Sequence, residues 1–281
     1  MRRPRGFTMV EVLIALVIMS IVTGAIYQLL NRTQRLSLAQ AEQVSLQSNV
    51  RTGSLIVPNE LRELNTWLGA GIGPRNDIIA AEADAITYRA MRGMGFVCEP
   101  PGPTELRLAA SSWTGLRDPV AARDSLYLFI DGNPNDDDDD GWLQVDITGV
   151  ASPANACAGA PGFILTVDAV PAVPLNTPVR VFEVMELKLY QPDGSWWLGA
   201  RSVAVEANLQ PVLGPLTDDG FQLEYLNGAG AITADLSAIQ SVRVVVQGLT
   251  DDAVRAHGTA ALGHPEETLS TQVLLRNSIR P

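Results

Sequence analysis

Gly6-Phe7-Thr8-Met9-Val10-Glu11-Val12-Leu13-Ile14-Ala15-Leu16 opens an apolar run that continues to Leu30 and constrains how the rest of the chain must fold. Between Phe7 and Leu30 the only strongly polar side chains are Glu11 and Gln28. Residues 7–30, at about 1.5 Å each, predict a helix of roughly 36 Å, enough to cross a bilayer. Arg2, Arg3 and Arg5 precede it, and this placement predicts a cytoplasmic amino terminus with everything after Leu30 exported. A charged side chain inside a membrane helix costs about 2.5–3.5 kcal/mol on insertion scales, so Glu11 is expected to serve a purpose there and to have a partner. An ordinary secretory signal would end in small residues at a cleavage window, but Ser20, Thr23, Gly24 and Ala25 are followed by Ile26, Leu29 and Leu30. A plain uncleaved anchor explains the apolar run and the arginines. It explains neither Gly6-Phe7 nor Glu11.

The same eleven residues closely resemble the class III signal of type IV prepilins and type II secretion pseudopilins. The resemblance implies that a prepilin peptidase cuts after Gly6, that the new amino terminus on Phe7 is N-methylated, and that Glu11 is the family's assembly glutamate. It implies a leader over 1–6, a transmembrane helix over 7–30, its amphipathic continuation over 31–57 and a periplasmic β-rich head over 58–281. The implied partners are prepilin peptidase, other pilins or pseudopilins met through the helix, and an inner-membrane assembly platform. The implied location is a single-pass inner-membrane protein that enters a pilus or pseudopilus, as a structural subunit and not an enzyme. Cleavage would remove three positive charges and expose an α-amine at the head of an apolar helix. Pairing that amine with Glu11 of a neighbouring subunit neutralises both charges, which matters most at low dielectric. Subunits so paired sit in axial stagger, as in a helical filament.

Beyond Leu30, Leu36, Ala39, Leu46 and Val50 recur at helical spacing, so the helix is expected to continue over 31–57 with one apolar face. Pro58 predicts a kink or stop, with another turn or two from Glu60 to Leu64. From Ile86 the periodicity shifts toward two. Strands are expected at 86–91, 105–109, 125–130, 142–148, 163–167, 179–190, 221–226, 241–247 and 271–275. Pro192-Asp193-Gly194 reads as a turn between two strand-like runs, and the Pro/Gly-rich patches at 99–103, 153–162, 171–178 and 211–220 read as surface loops. The fold class expected is α+β, pilin-like: a long N-terminal helix packed on an antiparallel sheet. The late runs 221–226, 242–246 and 273–277 look like the last strands of J-type minor pseudopilins and W-type minor pilins. The retained Glu11 disfavours the K-type tip pseudopilin, which characteristically lacks that carboxylate.

The chain has 281 residues and a net charge of −11, and Lys188 is its only lysine, which argues against a nucleic-acid surface. Cys98 and Cys157 lie in no metal-binding spacing; a disulfide and two buried thiols are both open, the former favoured by an oxidising compartment. Asp136 to Asp140 with Gly141 resembles the first half of an EF-hand loop, giving Asp136, Asp138, Asp140 and the Trp142 carbonyl as candidate calcium ligands. Ile147 stands where a bidentate glutamate belongs, with Asp146 one place early; Asp131, Asn133 and Asn135 just upstream are the alternative oxygen donors. A solvated acidic loop is the competing reading. His257 and His264 sit beside no nucleophile, Gly69, Gly71 and Gly73 form no phosphate loop, and Trp196-Trp197 reads as strand packing. The reading from another class is an anchored periplasmic binding module, calcium-dependent or not, that never polymerises.

Overall fold

The computed structural model describes residues 8–66, 76–133, 135, 136, 139–255 and 261–276. Its architecture is α+β: one long apolar helix, α1 (Met9–Arg62), followed by a large antiparallel sheet. The strands in chain order are β1 (Ile78–Ala81), β2 (Ala85–Phe96), β3 (Glu105–Ala109), β4 (Thr114–Gly115), β5 (Asp124–Ile130), β6 (Gly141–Ala151) and β7 (Gly162–Val167). They continue with β8 (Pro178–Tyr190), β9 (Trp196–Ser202), β10 (Gln210–Leu226), β11 (Ser241–Leu249), β12 (Val254–Arg255), β13 (Leu262–Gly263) and β14 (Glu266–Leu274).

The chain divides into two compact units. One takes residues 1–48 and 250–266: the first part of α1 and the β12–β13 hairpin. There the Glu42 carboxylate accepts the backbone N–H of Asp251 at 3.1 Å and of Asp252 at 3.3 Å, and the His264 ring nitrogen Nδ1 lies 2.7 Å from the Thr250 carbonyl.

The other unit takes 49–249 and 267–281. Its spine is β8, in which residues 178–188 pair with β2 along one edge. Along the other edge, Val179–Glu183 pair with β5 and Met185–Tyr190 with β9. The sheet runs β14-β11-β10-β9-β8-β5-β6-β7-β3, with β1 and β4 on β2. The end of α1 packs on this sheet. Val50, Val57 and Leu61 are buried, Asn49 donates to the Gly214 carbonyl at 3.1 Å, and Gly53 lets the helix backbone approach Leu213 and Val246. A second core forms where β3 and β7 face β5 and β8, from Leu106, Leu108, Leu126, Leu128, Phe163, Leu165, Val179 and Val181.

Two local expectations differ from the structure. Pro58 lies inside α1, which runs on to Arg62; one missing N–H near the end of so long a helix removes a single bond. Residues 211–220 are strand, the first part of β10, and not a surface loop. The register of β10 shifts between Pro211 and Leu213, between Leu213 and Leu216, and again before Phe221. Irregularities of this kind are where proline and glycine are tolerated in a sheet.

Candidate functional site

The helix head is built from its own first turn. Thr8 precedes α1 and its hydroxyl accepts the Glu11 backbone N–H at 3.3 Å, so Thr8-x-x-Glu11 forms the threonine half of a capping box. A carboxylate in the first helical turn also meets the positive end of the helix dipole. Local geometry therefore tolerates Glu11. It does not neutralise it: among the described residues no cation pairs with the Glu11 side chain.

From Met9 to Leu30 the helix is exposed around its full circumference, with Val12, Leu13, Leu16, Val17, Ile21 and Leu29 all about half exposed or more. An apolar surface on every side belongs in lipid or in a bundle of like helices. Two hydroxyls inside the run are satisfied within it: Ser20 donates to the Val17 carbonyl at 2.8 Å and Thr23 to the Met19 carbonyl at 2.7 Å. Among the described residues α1 is the one helix long and apolar enough to span a membrane. Gly6 and Phe7, the expected cleavage and methylation positions, lie outside the described residues.

The acidic loop between β5 and β6 gathers a different set from the alternating one. Asp131, Asp139 and Asp140 bring one oxygen each within 4.8 Å of one another, an arrangement able to face a hard cation. Asp139 also accepts the Asn133 N–H at 3.2 Å. Asp136 instead donates its N–H to the Asn133 carbonyl at 2.8 Å, Trp142 is committed to the ladder opposite Phe129, and Asp138 lies outside the described residues. Among the described residues, Asp140 is the sequence candidate whose carboxylate joins the cluster. The hairpin register, which closes at Ile130 and Gly141, explains this by drawing Asp131 up beside the end of the run. Cys98 and Cys157 are joined as a disulfide, with Cα atoms 5.7 Å apart, tying the end of β2 to the loop before β7.

Sequence reading missed a buried charge network in the head. Glu183 on β8, its side chain 2% exposed, receives Arg92 Nε at 2.8 Å, Arg117 Nη2 at 3.1 Å and Arg123 Nε. Arg117 also forks onto the fully buried Asp124 with two bonds of 2.6 Å, and Asp124 accepts the Val120 N–H at 2.8 Å. Burial alone would raise the Glu183 pKa. The nearby Ser202 hydroxyl and Arg92, Arg123 and Arg117 outweigh it and bring the pKa from an ordinary 4.5 down to about 2. One signal was present: Glu183 shares the inward phase of β8 with Val179 and Val181, so alternation puts a carboxylate on the core face.

No curated protein and no solved structure matches the chain. Residues 1–27 match the family model of the prokaryotic N-terminal methylation motif, and with the bare apolar helix behind it this match supports a membrane-anchored, type IV pilin-like precursor.

Proposed function

We propose that the protein is a minor pilin or pseudopilin: a subunit stored in the inner membrane, cut between Gly6 and Phe7, N-methylated on Phe7, and built into a filament through α1, with its head periplasmic. The observation that carries this reading is Glu11. It is a carboxylate at the head of a helix apolar on all sides, and no described residue of its own chain supplies a countercharge. The Phe7 α-amine of a neighbouring subunit, released by cleavage, is a cation of the right kind at the right end of the same helix. Pairing the two relieves two desolvated charges at once. The role is structural and not enzymatic. The strand-rich head behind α1 suits a minor subunit, of the J-type pseudopilin or W-type minor pilin kind.

Co-expression with a prepilin peptidase, followed by mass spectrometry of the amino terminus, tests the reading. The expected product begins at Phe7 and carries one added methyl group. An intact leader in the presence of active peptidase is the result expected of a plain anchored module and would refute the proposal.

A further inference from the structure

Where β8, β9 and β10 pair, the sheet leaves an open hollow in the head. Alternation along β8 puts Glu186, Lys188 and Tyr190 on one face, and the register sets Arg201 opposite Glu186 and Gly199 opposite Lys188. Pro211 of β10 stands on the other side of Gly199. Gly199 brings no side chain to this row, and the Tyr190 ring and Leu209 settle onto its backbone: a Cβ there would fall 2.6 Å from Tyr190 Cε1 and 2.9 Å from Leu209 Cβ. The space these residues line is about 710 Å³ and open to solvent, within the roughly 300–1,000 Å³ usual for small-ligand sites.

Its walls are held in place and its polar groups are reachable. Arg201 donates Nε to Glu186 and Nη1 to the Ala207 carbonyl at 3.1 Å, which ties the β9–β10 loop to the sheet. The Glu206 carboxylate accepts the Ser202 N–H at 2.7 Å and holds the same loop. The Glu186 and Arg201 side chains are 18% and 30% exposed, Lys188 and Tyr190 are half-buried, and Asp193 and Asn208 are exposed. Among the described residues, the side chains of Lys188, Asp193 and Asn208 make no hydrogen bond or ion pair, and the second Glu186 oxygen meets no donor. The lining therefore presents donors and acceptors side by side, next to an aromatic ring.

The charges of the lining balance, Lys188 and Arg201 against Glu186 and Asp193, so an ion of either sign gains no net countercharge there. In this region β8 up to Lys188 lies between β2 and β9, and β9 lies between β8 and β10, so no strand edge is free to take up a peptide. We infer that the hollow binds a neutral saccharide. Sugar hydroxyls both donate and accept, and together they use the Lys188 ammonium, the second Glu186 oxygen and the Asn208 amide. The C–H face of the sugar ring lies against Tyr190, whose hydroxyl adds a polar tip. The inference goes beyond filament assembly and holds whichever filament the subunit joins.

The test uses the full chain in micelles of a detergent that carries no sugar. Lys188 is the only lysine, so lysine labelled with heavy nitrogen gives a single backbone amide resonance, and that resonance sits in the hollow. Cellobiose, maltose, lactose and N,N′-diacetylchitobiose are the probes, with sulfate and the acidic dipeptide N-acetyldiglutamate as ionic controls. At least one disaccharide should shift the resonance saturably, and neither control should. Asn208→Ala, at an exposed loop position, should weaken binding about threefold or more, and Glu186→Gln, which keeps an acceptor for Arg201, should do so by a similar factor. Absence of a saturable shift with all four disaccharides would overturn the inference. So would equal binding by a folded chain carrying both substitutions. A saturable shift with sulfate or the dipeptide and with no disaccharide would overturn it as well, by making the hollow an anion site.

Discussion

Glu11 and Glu183 are both carboxylates in apolar stretches of sequence, and the molecule treats them in opposite ways. Glu183 is surrounded by three arginines from its own chain, drawn from β2, from β5's approach and from the loop before it. Glu11 receives a cap from Thr8 to its backbone and no countercharge among the described residues. The Glu183 charge is therefore closed within the head. The helix head leaves its balance open, and an open charge in an apolar setting is a demand for another molecule. On the function proposed above, the difference separates what stabilises this chain from what would assemble it.

The comparison is broken most strongly by removing the head's internal anion. Glu183→Ala removes the acceptor shared by Arg92, Arg117 and Arg123, leaving Arg117 its fork on Asp124, and should cost about 3–5 kcal/mol in a denaturant titration. Membrane insertion of α1 should be unchanged. Next comes the covalent tie: Cys98→Ser with Cys157→Ser removes a cross-link between positions 59 apart in sequence and should lower head stability by about 2–4 kcal/mol, seen as a lower melting midpoint.

Acid gives a graded version of the first test. The Glu183 pKa lies at about 2 when folded and 4.5 ordinarily, so its stabilisation is complete above pH 4.5 and is lost as pH falls through 2. Up to about 3 kcal/mol should disappear over that window. Glu183→Gln should flatten the acid limb of the stability profile. Asp77, raised by burial, works in the opposite direction and offsets part of the loss. The smallest effect is expected at an ion pair that is open to water. Arg276 and Glu63 meet at 3.1 Å but are 67% and 55% exposed, so Arg276→Ala should change stability by less than about 1 kcal/mol.

Elements with a clean local period were legible from residues alone. The alternation of Phe221, Leu223 and Tyr225 lies in β10, that of Val242, Val244 and Val246 in β11, and the run from Val179 to Tyr190 in β8. The apolar run into α1 was equally plain. What escaped notice depended on partners distant in sequence. The first part of β10 is held by β9 and bulged around Pro211 and Gly214, so its own residues read as a loop. Arg92, Arg117, Arg123, Asp124 and Glu183 are brought together by the pairing of β2, β5 and β8, and no short window contains them. The acidic run announced itself, but the hairpin register chose which carboxylates met.

The central claim is that the Glu11 charge is completed by another subunit. Glu11→Leu, expressed with the peptidase and the sister subunits of its filament system, tests this by cross-linking with insertion and processing monitored in the same cells. The account predicts normal membrane insertion with incorporation lost. Incorporation of Glu11→Leu at the level of the unmutated chain would contradict it.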